Sequence, residues 1–128
     1  MVLDELLELL QSDDKLKDLL RVTEEDPKIY AFGVDEVKDC IVYKLIPQTS
    51  DGVKEQSRFE LTIITQGMGL GLEVLEQVKT TLLTIGDETK TNNILEISLN
   101  GGGCLENIET STIHHKAYFI VKSRRRAK

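Results

Sequence analysis

Between Arg58 and Ile85 the apolar repeat changes from two to between three and four. Phe59, Leu61 and Ile63 alternate with Arg58, Glu60 and Thr62, the pattern of a strand with one buried face. After Gly67-Met68-Gly69-Leu70-Gly71, the residues Leu75, Val78, Leu82 and Ile85 form one helical stripe, with Glu73, Glu76 and Lys79 off it. A one-sided strand that feeds a one-sided helix must bury both apolar faces, and the economical solution is helix packed on sheet. Gly86 is expected to end this helix by taking the left-handed conformation.

The flanking segments fit the same frame. Leu3, Leu6, Leu7 and Leu10 form an apolar stripe, and Leu16, Leu19 and Leu20 resume it after Gln11 to Asp14. This reads as helix, break, helix, with Ser12 or Asp13 capping the second. Lys28 to Phe32 reads as a short strand ended by Gly33, and Cys40 to Ile46 as a second strand rich in β-formers. Pro47 to Gln56 reads as a long exposed hairpin loop. Leu95, Ile97 and Leu99 alternate as a further strand, Asn100 and three glycines as a flexible turn, and Thr112 to Lys122 as the last strand. The expected fold is α+β: a mainly antiparallel sheet covered on one face by two amphipathic helices, in the order α-β-β-β-α-β-β. The 128 residues suit one domain, residues 1–122, followed by a basic tail, 123–128.

Composition removes several function classes. The net charge of −6 argues against a general nucleic-acid binder, which needs a positive surface. That total hides a split. Lys122 to Lys128 holds five of the sixteen basic residues and no acid, which leaves the first 121 residues at a net −11. No apolar run approaches the ~20 residues of a membrane span. The opening MVLDELLELL carries acids where a signal peptide carries bases. Cys40 and Cys104 stand far apart without a CxxC pair, and both read as buried thiols in a reducing cytoplasm, with a bridge between them as the alternative.

Motif tests give no enzyme. Gly67-Met68-Gly69-Leu70-Gly71 has Leu72 at the offset where a dinucleotide fingerprint needs glycine, and lacks the Lys-Ser or Lys-Thr of a P-loop. Its glycines read as a link that permits close packing or movement. The alternative is an anionic-ligand loop in a small regulatory domain. His114 and His115 point to opposite faces of a strand, so they do not share one metal. His115 is expected half-buried and His114 outward beside Lys116. Paired acids such as Asp13-Asp14 and Asp87-Glu88 read as helix-end or solvated groups. No cofactor or metal site is expected. The basic tail has three readings: a solvated end, phosphate contact, or docking on an acidic patch of another copy or partner.

Several runs together carry a family likeness: LLELLQSDDKLKDLL, CIVYKLIP, RFELTIIT leading into GLEVLEQVKTTLLTIG, and STIHHKAYFIVKSRR. With them the chain resembles, over nearly its whole length, the tail-completion or tail-terminator proteins of tailed bacteriophages. Where that family carries an aromatic, often Trp, before the helix, this chain has Thr65-Gln66-Gly67. The resemblance implies a non-enzymatic protein that forms a ring, expected to be a homohexamer, on the tail tube. That ring stops tube polymerisation and meets the head connector. The implied partners are further copies, the tube protein and a head-completion protein, with no specific nucleic acid and no membrane. The implied location is the bacterial host cytoplasm during assembly and then the head-proximal end of the virion tail. Asp51, Lys54, Lys116, Arg124, Arg125 and Arg126 are the candidate interface residues, with Pro47 to Gln56 as the docking loop.

Overall fold

The computed structural model describes residues 2–25, 28–31, 39–50, 54–83, 94–107 and 111–124. Helices α1 (Val2–Gln11) and α2 (Asp14–Leu20) precede strands β1 (Ile29–Ala31), β2 (Cys40–Ser50) and β3 (Lys54–Thr65). Helix α3 (Met68–Leu82) then leads to β4 (Ile94–Asn107) and β5 (Thr112–Arg124). The five strands form one mixed sheet in the order β1-β2-β3-β5-β4, so the fold is α+β as expected. Helix α3 carries the chain from central β3 to edge strand β4, past the place that β5 fills.

One face of the sheet is apolar because the strand alternation holds in register. Ile41, Ile63 and His115 lie side by side, as do Leu45, Phe59 and Phe119. Helix α3 packs on β3 and β5 above this face, and α1 and α2 pack against α3. Leu6, Leu10, Leu16, Leu20, Val74, Val78 and Leu82 join Phe59, Leu61, Ile63, Phe119 and Val121 in one core. Asp13 caps α2 by accepting the Leu16 N–H at 2.9 Å. Arg21 closes that helix in the left-handed region, where its N–H reaches the carbonyls of Lys17 and Asp18. Among the described residues no helix is long and apolar enough to cross a membrane.

The structure corrects six local expectations. β1 pairs with β2 in parallel, an exception to the antiparallel pairing expected, setting Ile29 beside Ile41. A tight hairpin joins only antiparallel strands, and eight residues separate Ala31 from Cys40 in the sequence. Most of Pro47 to Gln56 is strand: Pro47 pairs with Ser57, Thr49 with Gln56 and Ser50 with Glu55. Pro47 is tolerated because a register shift lies between it and Thr49, and β1 reaches only as far as Tyr43. Asp51 and its neighbours 52–53 lie outside the described residues.

Gly101 to Gly103 are not a turn but part of β4, which runs on through a bulge between Leu99 and Gly102. Gly101 at φ 100° supplies the conformation that the bulge requires. Helix α3 starts at Met68, within the glycine run, and stops at Leu82. Its end is Leu83 in extended conformation rather than Gly86, because Leu83 still donates to the Lys79 carbonyl while leaving the helix. Ile85 and Gly86 are outside the described residues. Cys40 is buried as expected, but Cys104 is exposed, and both thiols are free. Leu99 shares the face of Phe119 yet is 43% exposed. Both depart for one reason: β4 is the sheet edge, and α3 packs over β3 and β5 instead.

Candidate functional site

The second face of the sheet carries no helix among the described residues. It is built by the other half of each alternation: Arg58, Glu60 and Thr62 on β3, and Lys116, Tyr118 and Ile120 on β5, all half-exposed. Cross-strand register sets Glu60 between Lys44 and Tyr118, Arg58 between Ile46 and Ile120, and Thr62 between Val42 and Lys116. Arg58 Nε lies 2.7 Å from Glu60 Oε2, and its guanidinium carbon lies 4.3 Å from the centre of the Tyr118 ring. That stack holds an arginine flat on the sheet, a residue pair favoured at protein interfaces.

The two adjacent histidines divide between the faces as the alternation predicts. His114 is half-buried on the helix-free face, where its Nε2 and Thr112 Oγ1 are 3.0 Å apart. Burial, and secondarily the charge of Lys116, holds its pKa below the usual 6.5. His115 is fully buried under α3 instead of half-buried, and neither ring nitrogen has a hydrogen-bond partner among the described residues.

Gly71 explains how the helix sits so low over His115. A Cβ at Gly71 would lie 2.6 Å from the ring's Cε1 and Nδ1 and 2.8 Å from Thr65 Oγ1. At Gly67 and Gly69 an added Cβ meets nothing within 4 Å. The glycine run therefore acts through one member, as a packing contact. Thr65 Oγ1 also donates to the Gly67 carbonyl at 2.8 Å, fixing the strand-to-helix corner. Beside it, a groove of about 370 Å³ runs between α3 and β4, lined by Leu75, Lys79, Leu99, Cys104 and His115 among others. Among the described residues no three His, Cys, Asp or Glu side chains could hold a metal.

On the helical side, Asp13 joins the α1–α2 break to α3. Its carboxylate accepts Thr81 Oγ1 at 2.6 Å and Gln77 Nε2 at 3.0 and 3.1 Å. Burial works to raise its pKa, but the bonds from Thr81, the Leu16 N–H, Gln77 and the Lys15 N–H outweigh it. The result lies below the ordinary 3.8.

Of the candidate interface residues, Lys54 and Lys116 both belong to the helix-free face, on adjacent strands. The backbone of Arg124 pairs with Lys54 at the end of β5, so the last strand extends two residues past Lys122. Asp51, Arg125 and Arg126 lie outside the described residues. Lys44, Arg58 and Tyr118 escaped the sequence reading. The alternation places them outward, but only the pairing register shows that they share one surface.

No family model matches the chain, and no curated protein matches it. Among solved structures, a chain of the "Virion of native gene transfer agent (GTA) particle" has a TM-score of 0.68 with this one. The match covers 94% of this chain and 92% of that one at 11% identity, which is a likeness of fold.

Proposed function

We propose that the protein is a structural component of a phage or prophage virion that caps the tail tube as a ring. In that role it ends tube polymerisation and helps join tail to head, acting by stoichiometric contact. The observation that carries this reading is the fold shared, over nearly the whole length of both chains, with a chain of a gene transfer agent virion. The resemblance of the sequence runs to tail terminators points the same way. Further copies, the tube protein and a head-completion protein are the partners, and the head-proximal end of the tail is the location. The anionic-ligand alternative has less to stand on, since Gly69 and Gly71 are helical residues and not a loop.

The test is sizing by light scattering, with the protein alone and with tail tubes. Ring-sized particles, or binding at tube ends with a fixed tube length, support the proposal. A monomer that neither binds tube ends nor changes tube length overturns it.

A further inference from the structure

Among the described residues the two layers carry opposite charge. The three helices with their caps, 2–21 and 67–83, hold eight acidic side chains against Lys15, Lys17, Arg21 and Lys79, a net −4. Asp4, Glu8, Asp14, Asp18, Glu73 and Glu76 are all exposed there. The helix-free sheet face holds Lys44, Lys54, Arg58, Lys116 and Lys122 against Glu60 and Glu96, a net +3. Part of the acidic body inferred from composition is therefore an acidic helical layer, backed among the described residues by a basic sheet face.

We propose that the helix-free sheet face docks on the helical layer of a second copy of this chain. This rests on the assembly reading above for the presence of further copies, and it names the two surfaces that meet. Three observations favour that occupant over another. Opposite charge at two separate places on one chain attracts a second copy head to tail, whereas sheet against sheet or helix against helix brings like charges together. The sheet face also supplies apolar area: Val42, Ile46, Tyr118 and Ile120 are half-exposed between the charges. The helical layer offers a receiving trough of about 470 Å³ between α2 and α3, lined by Lys15, Leu72, Glu73, Glu76, Gln77 and Thr80. Leu72 is 47% exposed at that trough, an apolar floor for the stems of lysines whose heads reach Glu73 and Glu76.

The size is sufficient. The four long strands at ~4.8 Å spacing by ~12 residues at ~3.4 Å give roughly 800 Å². A standard interface buries about that much on each partner. Because the contact joins two different surfaces, it repeats from copy to copy and makes a closed ring when the rotation allows.

The experiment is a charge exchange on the full chain, read by light scattering alone and with tail tubes, at about 50 mM and about 1 M salt. One variant carries Lys116→Glu and Lys122→Glu, a second carries Glu73→Lys and Glu76→Lys, and a third carries all four. Thermal melting checks that each folds. The natural chain is expected to assemble at low salt, each two-site variant to lose assembly at least about tenfold, and the four-site variant to regain it. If the natural chain assembles and the folded two-site variants assemble equally well, or the folded four-site variant stays apart, the pairing of these faces is overturned while the ring reading stands. If the natural chain stays monomeric in every condition, the assembly reading fails and this inference with it.

Discussion

Gly71 and His115 set the distance between α3 and the sheet, and single substitutions there read that distance directly. Gly71→Ala should gain up to about 1 kcal/mol of helix propensity but drive a methyl into the His115 ring. The expected net is a loss of about 1–3 kcal/mol in urea unfolding. Gly69→Ala, with open space around it, should be neutral or stabilising by up to about 1 kcal/mol. Combining Gly71→Ala with His115→Ala should cost less than the sum of the two, since the ring is what the methyl meets. Asp13→Ala removes a cap and two links to α3, so a loss of about 1–2 kcal/mol is expected.

Two groups make stability fall with falling pH, each in its own range. The folded pKa of Asp13 lies below its unfolded value, so its contribution is full above about 3.8 and is lost as pH falls through the folded value. The natural chain should therefore lose more stability than Asp13→Asn below pH 4. His114 is a base whose folded pKa also lies low, so the unfolded chain takes up its proton first. Melting temperature should fall as pH drops below about 6.5, and His114→Gln should flatten that slope.

At the scale of elements, β4 is the strand whose sequence most resembles something else. Asn-Gly-Gly-Gly has the chemistry of a turn, yet β5 pairs with β4 on either side of the bulge. A Cβ at Gly102 would collide with the carbonyl oxygen of Lys116, whereas one at Gly103 meets nothing within 4 Å. Gly102→Ala should therefore cost about 1–3 kcal/mol, and Gly103→Ala should be within about 0.5 kcal/mol of the natural chain. Equal effects in thermal melts would show that the bulge does not bring the strands this close. The two ends of α3 also show how context overrides composition. Three glycines near its start do not prevent the helix, because Gly71 is repaid by burial over His115 and Val74 and Val78 continue the buried face.

At the scale of the molecule, charge among the described residues is arranged by layer, and the basic end begins within the sheet. Ser123 and Arg124 belong to β5, where Ser123 is buried and pairs with Glu55 on β3 and Ile94 on β4. A deletion meant to test tail charge should thus start at Arg125. Removing 125–128 is expected to weaken assembly at about 50 mM salt and make no difference at about 1 M, as screening requires. Removing 123–128 should also lower the melting temperature, because it cuts ladder pairs on both sides of β5. Light scattering and melting separate the two effects.

The sequence alone determined the element order, the α+β class, the buried face of β3 and β5, a cap at Ser12 or Asp13 and the opposite facing of the two histidines. These follow from local periods and local hydrogen bonds, which neighbouring residues write directly into the chain. Tertiary structure alone decided the parallel pairing of β1, the bulge in place of a glycine turn, and the exposure of Cys104 and Leu99. It also decided which glycine matters, since Gly67, Gly69 and Gly71 differ only in what lies across from them. Sheet order is set by which strands meet across long separations, and no period along the chain carries that information. For the same reason a net charge could show an acidic body, but only the register of β2, β3, β5 and β4 gathers Lys44, Arg58, Lys116 and Lys122 onto one surface.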